Sequence, residues 1–504
     1  MLAGIGPRRL FLLFLGLTLA FRFWLAAAMP ITGDEAYFIE WGRNPDWGFY
    51  DHPPMIGWWL AALLMVGDAE WWLRLPVVVQ PAVLALAAGW AMARLWPELE
   101  DDRKWWAALL VLLAPVNVWN VFVTTDTPLI YFSVFSGLAW IKAAEDEAGR
   151  WYLAAGLLLA GAVLSKYFAA LLGFAYLVDA LLRGTRRVWV GLFIAYACTV
   201  PALLLMAWWN SGHCWPNYMF NFVNRHEDAG LSWQTPLLYV ATLAYVLSPP
   251  VLWLLVARGG GVLTGGCRSL VVLSAVPFVL FGLLSLVKMI GLHWLLSFVP
   301  FALLPLARRL SPPGLRRLGL FFAGFALLHI AVIGVVSRLP LETWQGMRQY
   351  DGIVLTFETQ ALLDELKPYA QDYAYASDGY SNAVTFGYAA RRHFIVFGEA
   401  SSHARHDDIL TDFRALAGRN ILVLRKSEPD LAYYRAYFRD VAVKDFTVRG
   451  VRFWIVLGRG FDYEAYRDTV LAKVREKYYA LPAWLPQTAC YFCDRYFPAT
   501  PCQR

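Results

Sequence analysis

Two acidic residues follow the first apolar run directly, in Gly33-Asp34-Glu35-Ala36-Tyr37, and the same polar stretch continues to Trp47-Gly48-Phe49-Tyr50-Asp51-His52-Pro53-Pro54. A carboxylate can take a proton from a hydroxyl, and an acid beside an imidazole can hold a divalent cation or contact a phosphate. The Pro-Pro pair restricts the backbone that carries the second group. Further along, Thr125-Asp126-Thr127-Pro128, Ser165-Lys166-Tyr167, Lys288 and His293-Trp294 add an acid, two ammonium groups and another imidazole. Blander readings stand beside these. The first segment also suits an interfacial loop with Trp and Tyr anchors, Lys166 a snorkelling helix-end residue, and His293 a neighbour of a belt tryptophan.

The elements that must position these groups are mostly apolar. Of 504 residues 59% are hydrophobic and 16% charged, more apolar than a soluble chain of that length needs. A bilayer core of roughly 30 Å takes about 20 apolar residues per helix. Apolar windows predict eleven spans, near 10–29, 72–95, 105–122, 127–143, 151–165, 167–182, 188–209, 236–257, 269–287, 293–307 and 318–336. The first follows Arg8 and Arg9 as a signal peptide would, but it is long enough to span and leads into Asp34 and Glu35, so it reads as a retained helix. From about Arg338 charge returns and apolar runs shrink to strand length. The expected organisation is a polytopic α-helical membrane module over 1–337, with a first outer loop at 30–71, and a soluble α/β domain over 338–504. In that domain Thr359 to Tyr369 and Tyr463 to Tyr478 read as helical. Tyr373 to Ala376, His393 to Phe397, Ile421 to Leu424 and Phe453 to Leu457 read as strands.

With the N-terminus inside, the inner ends and loops hold sixteen Lys and Arg and the outer loops five, namely Arg43, Arg74, Lys166, Arg225 and Lys288. This is the asymmetry of the positive-inside rule. An odd number of spans then places the C-terminal domain outside, in the periplasm of a bacterial inner-membrane protein. The net charge of +6 is scattered through these loops and argues against nucleic-acid binding. Asp34, Glu35, Asp46, Asp51, His52, Asp126, Lys166, His213, His226, Glu227, Asp228, Lys288 and His293 all fall on the outer face. Ionisable groups near a bilayer cost several kcal/mol unless paired or wetted, so a one-sided gathering points to a working site.

Gly33-Asp34-Glu35 after the first span, with Tyr50-Asp51-His52-Pro53-Pro54 later in the loop, resembles the bacterial branch of the GT-C membrane glycosyltransferases, related to protein O-mannosyltransferases and the lipid A aminoarabinose transferases. The resemblance covers most of the membrane module. It implies that Asp34 is the catalytic carboxylate, with Glu35 beside it. Aminoarabinose transferases carry Tyr-Glu-Lys-Pro where this chain has Tyr50-Asp51-His52-Pro53, so His52 replaces a phosphate-contacting lysine. In that respect the chain looks more like galacturonosyltransferases that modify lipid A and core.

The expected reaction moves a sugar from a polyprenyl phosphate to a lipid, glycan or protein acceptor, with the site removing a hydroxyl proton and stabilising a departing phosphate. Asp34 suits the base. His52, Lys166, Lys288 and His293 supply positive charge to the phosphate, and Asp51, His52 and His293 are candidate ligands of a divalent metal ion. Tyr50 and Asp126 are further site candidates. No nucleotide-binding glycine loop is evident, in keeping with a lipid-linked donor. A transporter or flippase would share the hydropathy but would use charges at the middle of the spans. Among the cysteines, Cys198, Cys214 and Cys267 go with the membrane module. Cys490, Cys493 and Cys502 crowd the C-terminus, where Cys502 paired with Cys490 or Cys493 is preferred to a zinc or redox site.

Overall fold

A computed structural model describes residues 4–146, 148–224, 230–257, 267–486, 488–499 and 502. His226, Glu227 and Asp228 lie outside the described residues, as does Arg225. The chain forms two compact units, Met1–Met29 with Val66–Leu204 and Ala229–Arg338, and Pro30–Met65 with Leu205–Asp228 and Leu339–Arg504.

The first unit is helical, and every expected span falls on helix. Among the described residues, four helices are long and apolar enough to cross a membrane by length and composition: Pro7–Ala28, Glu70–Leu95, Arg186–Ser211 and Pro312–Val336. Others are shorter or broken. The stretch expected as one span at 236–257 is two helices, Gln234–Leu247 and Pro249–Ala257, bent by 100°. Ser248 between them has φ 73°, and the two prolines that follow cannot continue the preceding ladder. The span at 105–122 likewise divides into Asp102–Leu112 and Pro115–Trp119, and the one at 293–307 opens as a 3-10 helix, Leu292–Phe298.

Buried ionisable groups described in this unit are hydrogen-bonded. Pro81 has no N–H to give to Val77, and the guanidinium of buried Arg22 donates to the Val77 carbonyl instead, as well as to Val78 and Asn117. Arg74 donates from one Nη to the Ala26 and Met29 carbonyls at 2.8 and 2.6 Å, capping the end of Pro7–Ala28. Buried Asp179 accepts from Trp140 at 3.0 Å and Ser269 at 2.8 Å and pairs with Arg183 at 3.2 Å.

The second unit holds a five-stranded mixed sheet. Its strands are β1 (Ala374–Ser377), β2 (Ile395–Val396), β3 (Ile421–Arg425), β4 (Phe438–Val448) and β5 (Val451–Phe461), in the order β2-β1-β3-β5-β4. β1 is parallel to β2 and β3, while β5 is antiparallel to β3 and β4. Arg449 and Gly450 close the β4–β5 hairpin with φ 48° and 79°, the left-handed pair that a two-residue turn needs. The core beneath the sheet is aromatic, with Phe397, Phe413, Phe438, Phe461 and Tyr466 in mutual ring contact. The loop expected to belong to the membrane module packs in this unit, through the helices Gly33–Arg43 and Met55–Leu64, and so does the short helix Pro216–Phe222.

The cysteines extend that grouping. Cys493 pairs with Cys502, one of the two expected pairings. Cys490, the thiol that this pairing leaves over, is bonded to Cys214, a residue expected to go with the membrane module. A partner 276 residues away leaves no local signal. The tail is fastened further by Thr488 N–H donating to the Ser211 carbonyl at 3.0 Å and Trp215 Nε1 to Pro486 at 2.8 Å. Cys198 and Cys267 are free.

Candidate active site

The helix Gly33–Arg43 starts at a capping box. Thr32 Oγ1 accepts from the Glu35 N–H at 3.4 Å, and Glu35 Oε2 accepts from the Thr32 N–H and hydroxyl, both at 3.1 Å. The box divides the labour of the two acids expected to act together. Glu35 is fully buried and fixes the turn, while Asp34 in the same turn is exposed. A carboxylate there is favoured by the helix dipole.

One turn on, Tyr37 donates from its hydroxyl to Asp51 Oδ1 at 2.7 Å. The loop carrying Asp51 is held from several sides. Phe49 N–H donates to the His52 carbonyl at 3.1 Å, and Asn217 and Asn221, four residues apart on one face of Pro216–Phe222, donate to the carbonyls of Phe49 and Asp51 at 2.9 and 2.8 Å. His52 Nδ1 lies 3.4 Å from Asp51 Oδ1, in ion-pair range but without a hydrogen bond. Burial works against ionisation of Asp51, yet His52, the Tyr37 hydroxyl and nearby His406 together hold its carboxyl below the usual range. Tyr50, the next residue back, is buried with its hydroxyl unpartnered and is pushed up by burial.

His406 was not visible as a site residue. Its ring is buried, edge-on to the stacked pair Trp41 and Phe49 at 6.0 and 5.3 Å. Burial lowers it to about 4 despite the pull of Asp51, Asp46 and Asp407. Only the folded chain brings it to the loop, 354 residues away from His52 by numbering (406 − 52), so no spacing in the sequence announces it. Asn217 and Asn221 carry a faint signal in their i, i+4 spacing.

The remaining expected residues lie in the helical unit. Asp126 begins the helix Asp126–Asp146, and Lys166 sits in the break after Gly149–Val163. Lys166 Nζ donates to both oxygens of Asp126, at 3.0 and 2.8 Å, with both residues buried. His293 Nε2, on a half-exposed side chain, is 3.7 Å from the same carboxylate. Lys288 is half-buried in the turn before His293.

Asp51 and His52 offer one carboxylate oxygen and one imidazole nitrogen to a cation, and His293, expected as a third ligand, belongs to the helical unit. Among the described residues, the one cluster of three or more His, Cys, Asp or Glu ligand atoms within 4.8 Å of one another is Cys490, Cys493 and Cys502, whose sulfurs are in disulfides.

Comparison with solved structures decides the architecture. ArnT from Cupriavidus metallidurans bound to undecaprenyl phosphate superposes with a TM-score of 0.60 at 16% identity, over 88% of this chain and 97% of that one. The apo form gives the same score at 17% identity. The chain has the GT-C fold. As a GT-C chain it is a polytopic helical membrane protein, and two sequence likenesses agree with the fold. Residues 51–209 match the family model described as dolichyl-phosphate-mannose-protein mannosyltransferase, a segment that begins at Asp51 and includes Asp126 and Lys166. Lipid A galacturonosyltransferase RgtD of Rhizobium johnstonii is 30% identical over 219 residues, 42% of this chain. The chain spans 45%, somewhat under half, of that relative's length.

Proposed function

We propose that this protein is a glycosyltransferase that moves a sugar from a polyprenyl phosphate to lipid A or a related envelope glycolipid, with galacturonic acid as the sugar. The observation that carries the reading is Asp34, an exposed carboxylate in the first turn of a helix whose start is fixed by Glu35 and whose next turn is tied to Asp51 by Tyr37. The undecaprenyl phosphate of the ArnT structure and the galacturonosyl activity in the name of RgtD support the donor and the sugar. So does His52 in place of the lysine of aminoarabinose transferases.

The acceptor hydroxyl gives its proton to Asp34 as its oxygen bonds to the anomeric carbon. The bond from that carbon to the phosphate oxygen breaks, and the electron pair leaves with the polyprenyl phosphate. His52 on the loop is assigned to the leaving phosphate, and Lys288, His293 and Lys166 are the phosphate-contact candidates of the helical unit taken by itself. A divalent ion on Asp51 and His52 would supply further charge to that phosphate. On the expected count of eleven spans with the N-terminus in the cytoplasm, the first loop and the C-terminal domain would lie on the periplasmic side of the inner membrane, a reading that the sixteen-to-five distribution of basic residues supports.

The direct test is transfer of galacturonic acid from synthetic undecaprenyl-phosphate galacturonic acid to lipid A in detergent by the purified protein. Glycosylated lipid A in the mass spectrum supports the reading. Donor hydrolysis or transport without transfer contradicts it.

A further inference from the structure

The helix Tyr380–Ala390 follows β1 and runs beside Gly33–Arg43 within the same unit. Three contacts fix the pair from start to end. A Cβ on Gly33 would run into Ser381 Oγ, with Ser381 Cβ and carbonyl oxygen at 3.3 and 3.4 Å. The rings of Tyr37 and Tyr380 meet edge to face at 4.6 Å and 80°. The guanidinium of Arg43 lies over Tyr388 at 5.4 Å. Gly33 directly precedes Asp34, and Tyr37 is the residue that holds Asp51. The sheet domain therefore touches the first-loop helix at the two points from which both carboxylates are set.

We propose that Tyr380–Ala390 is a positioning element for the first-loop carboxylates, with Ser381 seated in the space left by Gly33 as the contact that places Asp34. This rests on the reading of Asp34 as the base. It gives the C-terminal domain a task in the reaction: its helix is the wall against which the catalytic turn is registered. Glycine is required at position 33 for closeness and not for backbone freedom, because Gly33 opens a regular helix and alanine would suit that backbone. An added methyl overlaps the Ser381 hydroxyl and presses on its Cβ, so unless the hydroxyl turns aside the turn bearing Asp34 shifts, and a shift of about 1 Å in a reacting group costs on the order of 10² in rate.

The contact makes a suppressor test possible. Gly33→Ala, Ser381→Gly and the double variant are purified and assayed with undecaprenyl-phosphate galacturonic acid and lipid A, with thermal unfolding measured alongside. The expected result is a kcat for Gly33→Ala reduced by roughly tenfold to a hundredfold with KM little changed. Adding Ser381→Gly, which removes the hydroxymethyl group that the new methyl strikes, returns kcat to within about threefold of the parent. Wild-type turnover in Gly33→Ala, or a loss that Ser381→Gly does not relieve, overturns the proposal. Asp34→Asn, run in parallel, separates the two ways of failing. A fully active Asp34→Asn brings down the reading of the base, whereas an inactive Asp34→Asn beside a fully active Gly33→Ala overturns the positioning alone.

Discussion

Lys166 holds Asp126 by both carboxylate oxygens, at 2.8 and 3.0 Å, with neither side chain more than 9% exposed. A lysine drawn this closely to a buried acid has its charge largely matched, so what it offers a phosphate is less than its type suggests. Removing Lys166 takes the nearest cation from a buried carboxylate that His293, 3.7 Å away on a half-exposed side chain, matches only in part, at a cost of up to about 3–5 kcal/mol. Lys166→Met should therefore unfold well below the parent temperature, and Lys166→Met with Asp126→Leu should regain most of the difference. Unfolding temperatures in detergent decide this. A single variant as stable as the parent would show that the pair is not the buried contact described.

The four cysteines of the second unit carry a prediction about covalent structure. Peptide mapping of protein from its native membrane, alkylated without reduction, should recover Cys214 linked to Cys490 and Cys493 linked to Cys502, with Cys198 and Cys267 modified as thiols. Recovery of all six as thiols would contradict both the pairing and a periplasmic placement. Cys214→Ser should lower stability by about 2–5 kcal/mol, since the bridge closes a long loop.

His406 sets a pH dependence. It stands at about 4 in the folded chain against 6.5 ordinarily, mainly through burial, with Asp51, Asp46 and Asp407 pulling it up and His213 pushing it down. Between those values the unfolded chain binds a proton that the folded chain refuses. The stability gained by keeping His406 neutral is whole above pH 6.5 and is lost as pH falls toward 4, by up to about 3 kcal/mol. Unfolding temperatures measured from pH 7 to pH 5 should drop more steeply for the parent than for His406→Gln. Parallel curves would refute the assignment.

The divalent ion is tested by removal. Dialysis against EDTA should lower transfer, and a divalent cation should restore it. His52→Ala should reproduce the loss without restoration, because the imidazole is one of the two groups that Asp51 and His52 supply. Full turnover after chelation would remove the ion and leave His52 acting directly on phosphate.

What the sequence made legible follows from how far each signal reaches along the chain. Hydropathy is local, so every apolar window landed on helix. The breaks at Ser248-Pro249 and Ala114-Pro115 were lost because a window of that length averages over one bend. Strands β1, β2, β3 and β5 were visible as short apolar runs. β4 was missed because it is an edge strand whose Arg439, Asp440, Lys444 and Asp445 interrupt the alternation. Asp34, Asp51 and His52 stood out through their neighbours in one loop. Glu35 looked like a second catalytic acid because a capping box and a carboxylate pair have the same letters. Ser381, His406, Asn217 and Cys490 reach the loop or its supports only through tertiary packing, and nothing near them in sequence marks them.

In the proposed mechanism Asp34 takes the acceptor's proton, and the turnover of Asp34→Asn measures that step. The amide keeps the shape of the side chain and its place in the capped turn but cannot accept the proton. A general base contributes on the order of 10²–10⁴-fold. Transfer of galacturonic acid from undecaprenyl-phosphate galacturonic acid to lipid A should fall by at least about 10²-fold in Asp34→Asn, with unfolding temperature and donor affinity near those of the parent. Turnover within a few-fold of the parent would contradict the account.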